Sequence, residues 1–224
     1  MPKIILVPGL LCDATVWQPL QDRLGLKTHV GMALKQATLT EMAADILAQH
    51  DGELAVLGHS MGARIAMEMA RLCPTRIRKL GLFDTGAHPL RDGEAEKRAE
   101  IISFTYANGM QALADRWLPG MVYRKDPALM AQLTQMVLRA DPQLHERQIN
   151  ALVNRPNASA ILSDIGCPTL LPVGRQDQWS PVSQHQEMLA QIADARLEII
   201  EDAGHFSILE QPDAVAAAVV AFLK

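Results

Sequence analysis

The chain has 224 residues, of which 49% are hydrophobic and 21% charged, and its formal net charge is −4. That length suits one α/β domain burying roughly 70% of its unfolded surface, with no need of a disulfide or metal to hold its core. The mild acidity argues against a nucleic-acid partner, which would call for a basic face, and no long run of like charge marks an interaction tail.

The first apolar run, residues 4–7, ends at Pro8-Gly9. It is too short to span a membrane and lacks the basic lead and cleavage site of a secretory signal, so a cytoplasmic protein with no membrane partner is expected. Cys12, Cys73 and Cys167 are odd in number and lack CxxC spacing, which predicts buried free thiols in a reducing compartment. A weaker strand candidate covers residues 28–33. The pattern over 40–49 then predicts a helix with Met42, Ile46 and Leu47 on one stripe. Residues 54–57 form the second clear apolar run. From 60 to 72 the sequence reads as a helix with Ala, Met and Ile inside and Arg64, Glu68 and Arg71 toward water, stopped by Pro74. Residues 79–83 are the third run.

The alternation then breaks. Between 88 and 157 there is no convincing strand but four helical patterns, 94–107, 110–117, 127–139 and 142–153, the last two started by Asp126-Pro127 and Asp141-Pro142. A helical cap of residues 88–157, inserted into a core of residues 1–87 and 158–224, is the simplest account. Strand runs at 169–173 and 196–200 follow, with helices at 181–192 and 212–222 that each carry proline in the first turn. Apolar runs without polar alternation predict strands buried on both faces. The expected class is therefore α/β, a doubly wound and mostly parallel sheet of about six strands with an inserted helical cap.

The strongest chemical signal is Gly58-His59-Ser60-Met61-Gly62, between a strand run and a helix. A sharp strand-to-helix turn exposes the serine, demands small flanking residues and sets a helix N-terminus beside developing negative charge. A serine hydroxyl needs a base. His205, in Ala203-Gly204-His205-Phe206 after the last strand run, is the candidate, with Gly204 letting the loop turn tightly. Asp177, after the run ending at Gly174, would accept the imidazole N–H; Asp84, in Phe83-Asp84-Thr85, is its rival. The order Ser, Asp, His favours Asp177. Two backbone donors should stabilise the oxyanion, Met61 N–H and Leu10 N–H. No metal-ligand spacing and no phosphate or dinucleotide loop appears, so no metal and no cofactor is expected.

Together, Val7-Pro8-Gly9-Leu10, Gly58-His59-Ser60-Met61-Gly62, the stretch from Gly174 to Asp177 with Pro181, and Gly204-His205-Phe206 resemble the α/β-hydrolase superfamily, in its branch of small esterases, enol-lactonases and carbon–carbon bond hydrolases. The resemblance spans nearly the whole chain and is specific for fold and triad, not for substrate. It implies an eight-stranded sheet. Only three residues precede the first strand run here, so the expectation is a sheet lacking the family's first two strands. Pro8 departs from the histidine many relatives carry there. The resemblance also offers Trp17 as a wall of the site or a prop beneath the oxyanion loop, and Phe206 and His88 as substrate-binding candidates. The methionines and leucines of the cap suggest an apolar roof.

The implied activity is a serine hydrolase acting on a small hydrophobic carboxylic ester, lactone or thioester, with a small-molecule substrate as its partner. The alternatives are a cofactor-free lyase, carbon–carbon hydrolase or oxygenase on the same fold, and a receptor-like binding module.

Overall fold

The computed structural model describes residues 2–224. Six strands form one sheet in which every pairing is parallel: β1 (Lys3–Val7), β2 (Thr28–Val30), β3 (Leu54–His59), β4 (Ile77–Phe83), β5 (Thr169–Gly174) and β6 (Ala195–Ile200), in the order β2-β1-β3-β4-β5-β6. Successive side chains of a strand point to opposite faces. Ile5, Val7 and Val56 accordingly enter one buried cluster, and Ile4, Leu6, Ala55 and Leu57 the other. This two-sided burial is why the central strands read as unbroken apolar runs. The edge strands β2 and β6 are only partly buried, which explains their weaker signal.

Helices α2 (Leu39–Gln49), α3 (Met61–Leu72) and α7 (Val182–Leu189) contribute to the first cluster, and α1 (Gln18–Leu24) and α9 (Pro212–Leu223) to the second. A capping box of Thr38 and Glu41 starts α2, and Met42, Ile46 and Leu47 are all buried. Helix α1 was not foreseen. Its seven residues are short for a periodicity argument, although Pro19 near its start and Gly25 in a left-handed conformation at its end are ordinary helix punctuation.

The largest departure on this layer is α3. Arg64 and Glu68 are buried, at 8% and 3% exposure, and only Arg71 reaches solvent as expected. The helix is covered on more than its sheet side. Thr40 of α2 donates to the Glu68 carboxylate at 2.8 Å, and Arg64 Nη1 donates to the His88 carbonyl at 3.1 Å.

Between β4 and β5 lie α4 (Glu94–Trp117), α5 (Pro127–Leu138) and α6 (Pro142–Val153), with no strand. Gly109, at φ 82° and ψ 174°, breaks α4 where the sequence predicts a gap between two helices. Asp126 and Asp141 cap α5 and α6, accepting from Leu129 N–H at 3.0 Å and Leu144 N–H at 2.7 Å. A 3₁₀ helix over Ala158–Asp164 leads back to the sheet. Cys12 and Cys167 are buried and Cys73 half-buried, and all three are free thiols. Among the described residues no helix is long and apolar enough to cross a membrane.

Candidate active site

The sheet order changes direction beside β1: the chain runs outward to β2 and returns across β1 to β3. In open α/β sheets the carboxyl ends of strands at such a switch form a crevice. Ser60 stands there, between β3 and α3, at φ 55° and ψ −115°. A non-glycine residue at such angles is strained. Packing holds it. A Cβ on Gly58 would lie 2.3 Å from Gly62 O, and one on Gly62 would lie 2.1 Å from Val7 O, so both flanking glycines are sterically required.

His205 follows β6, at the head of α8 (Ser207–Glu210). Its Nε2 is 2.8 Å from Ser60 Oγ and its Nδ1 2.8 Å from Asp177 Oδ2. The Asp177 Oδ1 accepts from Trp179 N–H at 2.8 Å and Ser180 N–H at 3.0 Å. Burial opposes the Asp177 charge, but the His205 imidazole and these two amides outweigh it and hold the carboxyl below its usual range. Burial likewise opposes charging of His205, yet Asp177, with Asp84 and Glu210 behind it, lifts that imidazole above 6.5.

Asp84 does not face His205. Its Oδ1 accepts from Gly174 N–H at 2.9 Å and its Oδ2 from the Ser207 hydroxyl at 2.6 Å. It is fully buried, and burial together with the nearby Asp177 charge pushes its carboxyl well up. Gly204 serves close approach, not a left-handed turn: a Cβ there would lie 2.8 Å from Met121 O, and one on Gly174 would lie 2.1 Å from Gly204 O. The His205 N–H donates to Met121 O at 2.7 Å, and Glu210 accepts from Gly204 N–H at 2.8 Å and Tyr123 N–H at 2.7 Å. The histidine loop is thereby tied to the segment between α4 and α5.

Leu10 and Met61 both line the cavity above Ser60, and neither N–H meets a protein acceptor among the described residues. Next to Leu10, Leu11 has a φ of 56° and its N–H donates to Gln148 Oε1 of α6 at 2.9 Å.

Trp17 is a prop and not a wall. It is fully buried, meets Phe83 edge-on at a centroid distance of 5.4 Å and does not line the cavity. Phe206 and His88 do line it. Burial and the Arg64 charge pull His88 down to about 4, so its ring is neutral. The cavity measures about 600 Å³, with half-exposed Trp179 at its mouth. Of the apolar cap residues, Ile101, Leu113, Trp117, Met121, Ile149 and Leu152 reach it, whereas Leu133, Met136 and Val137 pack among themselves and their neighbours.

The sequence reading missed several residues here. His59, buried beside the serine, donates from Nε2 to His205 O at 2.7 Å. Burial first, and then the His205 charge, pushes it down to about 3, so it stays neutral. Arg64 could have been noticed as the residue one helical turn beyond the serine, on the same face. Gln148 carries no local signal.

The sequence pattern of the alpha/beta hydrolase family matches residues 4–218. The chain belongs to the α/β-hydrolase family. A thermophilic esterase from Thermogutta terrifontis has the same α/β-hydrolase architecture at a TM-score of 0.91 and 28% identity, covering 100% of this chain and 89% of its own. The enol-lactonase of Burkholderia xenovorans superposes at 0.88 with 25% identity, covering 99% and 91%. A 2-hydroxy-6-oxononadienedioate/2-hydroxy-6-oxononatrienedioate hydrolase of Cupriavidus pinatubonensis is 28% identical over 75% of this chain. The chain spans between 12% and 61% of the length of the first curated relatives it matches.

Proposed function

We propose that this α/β-hydrolase cleaves small carboxylic esters or lactones through an acyl-enzyme on Ser60, with Asp177 and His205 completing a catalytic triad. The observation that carries the reading is the row Ser60 Oγ–His205 Nε2–His205 Nδ1–Asp177 Oδ2, with 2.8 Å at each contact, at the base of a cavity. Helices α4 to α6 act as its cap, and no cofactor takes part.

Ser60 Oγ attacks the carbonyl carbon as its proton passes to His205 Nε2. The resulting imidazolium is held by Asp177, which keeps the hydrogen on Nδ1. The tetrahedral oxyanion is received by the N–H groups of Leu10 and Met61, each worth a hundredfold or more in rate. Collapse breaks the ester C–O bond, and His205 returns the proton to the leaving oxygen. Water then attacks the acyl-enzyme, giving a proton to His205, and the acid departs as Ser60 recovers it.

Labelling tests this. A fluorophosphonate should add one equivalent to Ser60, an activated ester should give a burst of alcohol, and Ser60→Ala should lower kcat by on the order of 10⁵-fold or more. An unlabelled serine with undiminished turnover in Ser60→Ala would remove the reading.

A second reading, hydrolysis of a carbon–carbon bond beside a carbonyl, is favoured by relatives such as the Cupriavidus hydrolase. A vinylogous diketone turned over faster than any ester would favour it.

A further inference from the structure

The chain carries a net charge of −4, yet the cavity wall bears six Lys or Arg side chains and only two Asp or Glu. At its inner end two arginines share one carboxylate. Arg155 donates from Nη1 and Nη2 to Glu94 Oε1 and Oε2, at 2.8 and 2.7 Å, and Arg98 Nε donates to Oε1 at 2.8 Å. Burial opposes the Glu94 charge, but these donors outweigh it and hold its carboxyl at about 2. Its two oxygens are occupied.

Arg64 is left over. It is 8% exposed, it forms no ion pair among the described residues, and its one side-chain hydrogen bond goes to the His88 carbonyl. Burial and then repulsion from Arg155 pull it down to about 9, which still leaves it cationic at neutral pH. A nearly buried cation without a counter-ion is among the costliest features a fold can retain. His145, 2% exposed, adds a buried Nδ1 without a protein partner on the same cavity wall.

Topology tells which half of a substrate would reach this end. Arg64 and His88 follow β3 and β4, whereas Asp177 and His205 follow β5 and β6. The leaving oxygen must face His205 to be protonated, so the leaving group lies on the β5–β6 side and the acyl half on the Arg64 side. Ser60 and Arg64 are one helical turn apart, about 6 Å along the axis, which leaves room for a spacer of a few carbons.

We propose that Arg64 anchors a carboxylate on the acyl half of the substrate, so that the enzyme acts on half-esters of short dicarboxylic acids or on acid-bearing lactones. A guanidinium fork matches a carboxylate in two parallel hydrogen bonds, which a lysine cannot reproduce. This rests on the serine-hydrolase reading for the position of the scissile bond.

The test compares monoethyl succinate, glutarate and adipate with ethyl butyrate, valerate and hexanoate, following ethanol release. At the best chain length the wild type should prefer the acid by tenfold or more in kcat/KM. That ratio should fall to about one in Arg64→Met and recover in part in Arg64→Lys. A wild-type ratio of one or less at every length, or a preference unchanged in Arg64→Met, overturns the subsite. Calorimetry of Ser60→Ala with monoethyl adipate reads it without turnover: binding should be at least tenfold weaker in Ser60→Ala/Arg64→Met, and equal binding overturns the subsite. Fluorophosphonate labelling reports on Ser60 separately. A labelled serine with no preference for acids leaves the hydrolase and removes the subsite. An unlabelled serine with Arg64-dependent binding does the reverse.

Discussion

Single residues carry the chemistry through their protonation states. In the proposed mechanism His205 acts as a base only when neutral, and its neighbours raise its pKa above 6.5. As pH falls, kcat/KM should therefore drop through an inflection above 6.5, and replacing Asp177 should move that inflection down. A pH–rate profile of wild type and Asp177→Asn checks both statements. Asp177→Asn should also cost on the order of 10⁴-fold in kcat, because the amide favours the wrong imidazole tautomer. Asp84→Asn should lose far less, since Asp84 faces Gly174 N–H and the Ser207 hydroxyl. From the sequence, both aspartates follow strand ends and only chain order separates them; the deciding 2.8 Å contact joins residues 28 positions apart. His59 illustrates the opposite case. It sits inside the serine pentapeptide, yet its bond to the His205 carbonyl links residues 146 positions apart and could not be read locally.

Elements place these residues, and their ends are where local chemistry speaks most clearly. The proline-led helices and the Gly109 break appear where the punctuation predicts them. Helix α6 has a further role, because Gln148 accepts the Leu11 N–H and so braces the loop that presents Leu10. Gln148→Ala leaves that buried amide unpaired, at a cost of about 1–3 kcal/mol in stability. Its larger consequence should be a fall in kcat with little change in KM, because the proposed Leu10 donor would be needed most in the transition state. Steady-state kinetics with denaturant melts separates the two effects. Helix α3 marks where patterning misleads. Its arginine and glutamate fit a solvated face, but α2 and the chain around His88 cover that face as well.

At the scale of the whole molecule, the helices between β4 and β5 are secured by a few polar ties and not by apolar packing alone. Arg155 joins the end of α6 to Glu94 at the start of α4 and to the carbonyls of His88 and Pro89. Its side chain is 2% exposed and that of Glu94 18%, so screening by solvent is limited. Arg155→Met would leave Glu94 with Arg98 as its one remaining ion pair among the described residues and should destabilise the fold by about 3 kcal/mol. For a chain of this size that corresponds to a Tm lowered by on the order of 10 °C, measurable by calorimetry. A change under 2 °C would mean that the tie contributes little.

The sequence by itself determined the α/β class, the parallel sheet with its helical insertion, and the serine and histidine that meet at the sheet's edge. Each of these is written in short windows, as unbroken apolar runs, glycines flanking a serine, or proline and aspartate at helix starts. Only the tertiary structure decided that Trp17 lies beneath the floor, that Asp177 and not Asp84 faces the imidazole, and that Arg64 is enclosed without a counter-ion. Burial and pairing depend on what distant chain arrives against a residue. For Arg64 that chain is His88, Glu94 and Arg155, which no helical period or local motif could bring into view.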